Sequence, residues 1–235
     1  MNKTKVGIWQ PYFLPYIGYF QLISMVDKFV IYDNIEYTKK GWINRNRFLC
    51  NGSDKLFSIS LKKDSDYLNV VEREISNQFD RKKLVSQISM AYKKAPHYSE
   101  VMPLVEDIIM YEDNNLFRYI YHSVTSICKK LGINTEIIVS STVSIDHSLK
   151  GQDKVLAFCE CLGAGTYINS SGGIPLYDKE KFMERGIDLH FFRCNDDVVY
   201  KQFDNEFVPS LSIIDVMMFN SVEEIQHLLT QYTLL

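Results

Sequence analysis

The chain opens with a short apolar run, Val6 to Trp9, which stops at Gln10 and Pro11 and resumes after Pro15 as an apolar stretch at helical spacing. A second apolar run, KFVIYD, follows at once. This pattern predicts a strand near 5–10, a helix near 16–26 with Phe20, Ile23 and Val26 facing inward, and a strand near 28–33. Beyond Asp33 the period changes. WINRNRFLC alternates apolar and polar residues, Asn51-Gly52 reads as a hairpin turn, and residues 55–61 form the return strand. A further short strand is expected near 71–75. Helical spacing then takes over, with helices near 80–94, from His97 or Tyr98 to 111, and over 114–131, where Gly132 stops the last of them. The C-terminal half alternates again. A buried strand at 137–141 precedes a helix at 152–162, a strand at 166–169 and a Ser-Gly loop at 170–173. A helix at 178–185, a strand at 187–192 and helices near 211–218 and 221–230 complete it.

Repeated strand–helix alternation predicts an α/β fold, a mostly parallel sheet covered by helices with a small antiparallel hairpin insertion. The whole chain, 1–235, reads as a single α/β domain in which 42–76 forms an antiparallel flap and 80–131 a helical segment.

Composition narrows the partners. A chain of 235 residues that is 46% hydrophobic suits one large core, and a net charge of −3 supplies no bulk field to steer a polyanion, so nucleic acid is not an expected partner. Five cysteines, none in a CxxC pair, read as buried thiols in a reducing compartment, with neither a zinc site nor a disulfide framework. The N-terminal apolar stretch is broken by Gln10, Pro11 and Pro15, far short of the roughly 20 continuous apolar residues a span needs. A cytoplasmic location without an integral membrane segment is expected. A homo-oligomer is compatible with this composition.

Candidate chemistry gathers in five places. The loop from Gln10 to Tyr19 is stiffened by two prolines and lies at the carboxyl end of the first strand, where an open α/β sheet puts a ligand. There Gln10, Tyr12 and Tyr19 offer hydrogen bonds, and Gly18 opens a helix N-terminus to an anion. In Asn44-Arg45-Asn46-Arg47 a strand would turn both arginines to one face, a pair suited to a diphosphate or carboxylate. Asp146-His147, after the 137–141 strand, contains the best candidate for a general base. Ser171 and Gly172 lie in a loop able to cradle phosphate through backbone donors. Tyr200, Gln202 and Asp215 form the last group, with the acid inside an apolar helix and so in need of a partner such as an arginine or a tyrosine.

The stretches QPYFLPYIGYF, DKFVIYDNIEYTKKGWINRNRF, GAGTYINSSGG, VVYKQF and FVPSLSIIDVMMFN run in order along almost the whole chain and resemble the WbqC-like family. The resemblance implies a role in a bacterial O-antigen or other surface-polysaccharide cluster, in building or decorating an activated sugar. It also implicates Asp33, together with Gln10, Pro11, Tyr12, Pro15, Gly18, Asn44, Arg45, Asn46 and Asp215, in the site. The expected partner is a nucleotide-linked sugar. The expected activity is a transferase acting on a nucleotide-linked amino sugar, by N-acyl or aminoacyl transfer. In this scheme His147 serves as base, Asn44 and Asn46 as oxyanion donors, and Arg45 and Arg47 as a diphosphate clamp. A non-catalytic protein that binds a sugar nucleotide or a glycosyltransferase and an ATP-dependent adenylate-forming ligase are the alternatives. No residue pattern names a cofactor, and none calls for a metal.

Overall fold

The computed structural model describes residues 3–195, 198–204 and 206–235. The first strand β1 (Lys5–Trp9), helix α1 (Ile17–Met25) and strand β2 (Lys28–Ile31) form the opening strand–helix–strand unit. Side chains of successive strand residues leave opposite faces of the sheet. Accordingly Val6, Ile8 and Val30 enter one core, and Phe29 and Ile31 enter the other, beneath α1.

The hairpin β3 (Arg45–Cys50) and β4 (Ser53–Ser58) follows as a separate two-stranded sheet. Its turn residues, Asn51 and Gly52, both have positive φ (53° and 78°), as a tight hairpin turn requires. Residues 71–75 do not form a strand. Val70–Glu72 is a single 3-10 turn, because the Asn69 side chain and Glu72 cap each other and take the local backbone donors a ladder would have used. Only isolated bridges, Leu61 to Ile75 and Glu74 to Asn115, remain.

Helices α2 (Arg81–Tyr92), α3 (Tyr98–Met110) and α4 (Leu116–Leu131) stack over the hairpin and the α1 face. Asp80 and Asn115 cap α2 and α4, and Gly132, at φ 70°, ends α4 in the left-handed conformation. Then come β5 (Glu136–Val139), α5 (Gly151–Cys161), β6 (Thr166–Ser170), α6 (Lys179–Glu184), β7 (Asp188–Cys194), α7 (Ile213–Phe219), α8 (Val222–Leu228) and β8 (Tyr232–Leu234). The sheet order is β5-β2-β1-β6-β7-β8, parallel throughout except for β8. Two details depart from expectation. The strand expected at 137–141 is β5 (Glu136–Val139), with Ser140–Thr142 in a 3-10 turn, and it is an edge strand only half buried, since among the described residues nothing pairs with its outer side. Strand β8 was not anticipated, because three residues at a chain end carry too short a pattern to read.

This order decides where a ligand goes. From β1 the chain crosses to β2 and on to β5 on one side, whereas β6 and β7 lie on the other. The loops leaving the carboxyl ends of the neighbours β1 and β6 therefore diverge and leave a crevice between them, the topological switch point of an open α/β sheet.

Candidate functional site

The loop after β1 is held in an uncommon conformation by residues from far along the chain. Leu14 has a positive φ of 47°, a conformation that costs a non-glycine residue about 1–2 kcal/mol. Its carbonyl accepts from Asn46 Nδ2 and from Ser212 Oγ, both at 2.8 Å. Backbone bonds from Phe13 N to Ile43 O (3.0 Å) and from Ile213 N to Pro15 O (2.8 Å) complete the clamp. Hairpin and α7 thus fix the loop, and the loop presents Gln10 and Tyr12. Tyr12 donates to Gln10 Oε1 at 3.2 Å, and Tyr19 donates to the Gln10 carbonyl at 3.0 Å. Burial raises the pKa of Tyr12 and of Tyr19, so both phenols stay protonated.

Between this loop and the one after β6 lies a crevice of about 340 Å3, lined among others by Gln10, Tyr12, Tyr32, Asn169, Gly172 and Tyr177. Tyr167 forms part of its floor. Asn169 Oδ1 accepts from Ser170 N at 2.7 Å, and the segment 171–176 closes into a 3-10 turn. A Cβ on Gly173 would come within 3.0 Å of Asn169 Nδ2 and 3.1 Å of the Tyr177 ring, so the fold itself needs that glycine. Lys154 lies just behind, with its ammonium 5.5 Å from the centre of the Tyr32 ring. Burial lowers its pKa, while Asp33 and Asp146 pull it back up.

A second hollow of about 270 Å3 adjoins the crevice through Tyr12 and is lined by Pro15, Tyr16, Trp42, Asn46, Arg47 and Ser210. Arg45 and Arg47 share one face of β3, and both guanidinium groups sit 5.6 Å from the Trp42 ring. They are not equivalent. Arg45 is tied to the carbonyls of Gly41 (2.8 Å) and Lys40. Arg47 makes looser bonds to Asp54 (3.2 Å) and to the Ser210 carbonyl (3.4 Å), and its Nε is buried with no partner. Ser210, at φ 55°, is a second strained non-glycine residue at this spot. Tyr200 lines a third, smaller hollow that shares Tyr16 and Ser210.

Other nominated residues serve the frame. Asn44 accepts from the Tyr37 hydroxyl and donates to the Ile59 carbonyl, both at 2.8 Å. Asn46 spends its amide on Leu14 and on Arg47 N (2.9 Å). Asn46 Nδ2 spends both its hydrogens, on the Phe13 and Leu14 carbonyls, whereas Asn44 Nδ2 bonds Ile59 O and keeps a second hydrogen. The first turn of α1 is not open either. A Cβ on Gly18 would fall 2.4 Å from the Tyr16 ring, so the glycine makes room for that ring to cover the helix end. Asp33 clips β2 to β5 by accepting from Ser140 Oγ (2.7 Å), Ser141 N (2.8 Å) and Ser141 Oγ (2.6 Å).

His147 belongs to the same cluster. Its Nε2 lies 2.9 Å from the Val143 carbonyl, which can only accept, and its Nδ1 lies 2.9 Å from Asn34 Nδ2, which can only donate. The pair selects one neutral tautomer and occupies both ring nitrogens. Asp146 does not orient this ring. It bonds the amide and hydroxyl of Ser148, which hold its carboxyl below the usual carboxylate range. Ser171 stands beside the crevice loop, and Gly172 lines the crevice.

Asp215, fully buried, accepts from Tyr92 (2.7 Å), Tyr200 (2.7 Å) and Gln202 Nε2 (2.7 Å), and so ties α2 and the segment around 200 to α7. Sequence reasoning passed over Tyr32, Tyr167 and Trp42. The only available signal was a polar ring at an inward strand position in Tyr167 and just past the end of β2 in Tyr32, and Trp42 gave none. Among the described residues no cluster of three or more His, Cys, Asp or Glu could hold a metal ion, and no helix is long and apolar enough to cross a membrane.

Comparison with known proteins adds two matches. A model described as the WbqC-like protein family matches residues 10–227. A protein of Mycobacterium tuberculosis, itself described as uncharacterized, is 29% identical over 220 residues, 92% of this chain and 93% of its own length. No solved structure matches.

Proposed function

The chain belongs to the WbqC-like protein family, and from that premise and the layout of its sheet we propose that it is a cytoplasmic transferase that modifies a nucleotide-linked amino sugar for a surface polysaccharide. The observation that carries this reading is the crevice at the β1/β6 switch point, joined through Tyr12 to a hollow that holds an incompletely bonded arginine. Open α/β sheets bind nucleotides at such a crevice. A guanidinium held by two long bonds and with an unpartnered Nε suits the diphosphate. Arg47 takes that role, and Arg45, equally close to the Trp42 ring, supports that ring.

The reaction assigned is acyl or aminoacyl transfer. The sugar nitrogen forms a bond to the acyl carbonyl carbon, the bond from that carbon to the donor's leaving group breaks, and the leaving group takes the proton the nitrogen loses. Mass spectrometry after incubation with nucleotide-linked amino sugars and acyl donors is expected to show the sugar gaining one acyl group. A folded protein that gives no adduct across a broad panel overturns the assignment.

His147 enters as a positioning residue, since both ring nitrogens are already engaged. His147→Ala is expected to lose about 1–2 kcal/mol of stability with its two hydrogen bonds, and to leave the pH profile of turnover in place. Disappearance of an ionisation from that profile would make His147 the base. The same saturation of His147 favours a second reading, in which the protein binds a sugar nucleotide without turning it over. That reading predicts ligand-induced thermal stabilisation and no product.

A further inference from the structure

We propose that the β1/β6 crevice is a nucleobase subsite, one that takes a neutral planar heterocycle and reads its hydrogen-bonding edge. This rests on the sugar-nucleotide reading above and says which part of the ligand goes where.

The first argument is charge. No charged side chain is among the lining residues, which are rings, aliphatic side chains, two amides, one hydroxyl-bearing serine and glycines. A diphosphate would find no counter-charge on the walls, since the Lys154 ammonium lies behind the Tyr32 ring, whereas a base would find ring faces on which to stack. The anionic part of the ligand belongs in the neighbouring hollow with Arg47.

The second argument is Gly172. Unlike Gly173, it is not needed by the protein's own packing. A Cβ there would meet nothing closer than Ser170 Oγ at 3.8 Å, and its φ is not in the left-handed range. Both conditions that normally preserve a glycine are missing, yet it lines the crevice. Space kept empty on a lining wall is space for a ligand to approach the backbone.

The third argument is unsatisfied polarity. Tyr167 is fully buried and lines the crevice, and its hydroxyl has a single, poorly aligned partner among the described residues, the Tyr177 hydroxyl. The Tyr177 hydroxyl lies close enough to raise its pKa further, after burial, and Tyr177 is in turn engaged with Asn169. Gln10 uses its carbonyl oxygen on Tyr12, which leaves the amide NH2 end to donate. The Tyr167 hydroxyl and the Gln10 amide beside one ring-lined slot match a base edge that both donates and accepts.

The test uses free nucleosides, which carry a base and no phosphate. Uridine, thymidine, cytidine, adenosine and guanosine are titrated by calorimetry into the wild type, Gly172→Val, Gly172→Ala and Tyr167→Phe, with melting temperatures recorded for each. At least one nucleoside is expected to bind the wild type. Gly172→Val is expected to weaken that nucleoside by about tenfold or more with its melting temperature held, and Gly172→Ala to weaken it less. Tyr167→Phe is expected to weaken it by about three- to tenfold while lowering the melting temperature little, since only the poorly aligned contact with Tyr177 is lost. If a sugar nucleotide binds but no nucleoside does, or if nucleoside affinity is unchanged in Gly172→Val or in Gly172→Ala and Tyr167→Phe together, the subsite is wrong and the sugar-nucleotide reading stands. If neither nucleosides nor sugar nucleotides bind, both readings fall.

Discussion

Asp215→Ala is expected to destabilise the fold by about 3–5 kcal/mol, and so to lower the melting temperature of a chain this size by roughly 10 °C. The carboxylate is fully buried in α7 and collects three donors, the hydroxyls of Tyr92 and Tyr200 and the Gln202 amide. Tyr92 also accepts from Leu49 N at 2.8 Å, so the same knot reaches the hairpin. Removing the acid orphans three buried donors at once and leaves a void among large rings. Asp215→Asn should cost less, because one oxygen still accepts while the new NH2 displaces one donor. The loss also has a pH signature. Burial is the largest influence on Asp215 and raises its pKa, with the three hydrogen bonds acting against it. A folded-state pKa above the unfolded one means that this group stabilises fully at pH below its unfolded value, and less as pH rises through the folded one. The gap between wild type and Asp215→Ala in denaturant unfolding should therefore be wider at acid pH than at alkaline pH. A gap that widens with rising pH would show the ionised form to be the stabilising one.

The frame of the molecule was readable because its signals are local. The strand–loop–helix–strand opening, the Asn51-Gly52 turn and the Gly132 stop each rest on a period or on a backbone requirement within a few residues. The failures share the opposite cause. Val70 and Val71 look like a strand, but the Asn69–Glu72 cap decides otherwise. The site shows the same division. The sequence places Gln10, Tyr12 and Gly172 on the loops after β1 and β6, and these residues line one crevice because the two loops leave neighbouring parallel strands at a switch point. It cannot say how a polar side chain spends its hydrogen bonds. Asn44, Asn46 and His147 have the chemistry of catalytic groups, yet their partners, Ile59, Leu14, Asn34 and Val143, are set by tertiary contacts. Of two neighbouring arginines with one face in common, only the structure distinguishes the tied one from the one held by longer bonds and with a partnerless Nε.

That distinction leads to the largest functional effect expected of a single side chain. Arg47→Met should weaken a nucleotide-linked sugar by about 10- to 100-fold, the loss of one or two charge-assisted hydrogen bonds. Free nucleoside affinity should be unchanged, since the base sits across Tyr12 in the uncharged crevice. Arg47→Lys should recover only part of the loss. An ammonium supplies charge but not the planar fork, and it stacks less well beside Trp42. Binding by the wild type should also weaken more steeply with added salt than binding by Arg47→Met, because the variant lacks the screened contact. Arg45→Met makes the contrast. Its guanidinium already serves the Gly41 and Lys40 carbonyls, so its removal should loosen the hairpin approach and lower stability while affinity falls little. Calorimetry of the three variants against a sugar nucleotide and its nucleoside separates these outcomes. Equal losses for both ligands in Arg47→Met would mean that the arginine holds the site's shape and not the ligand's phosphates. Equal losses in Arg45→Met and Arg47→Met would mean that the pair acts together through Trp42.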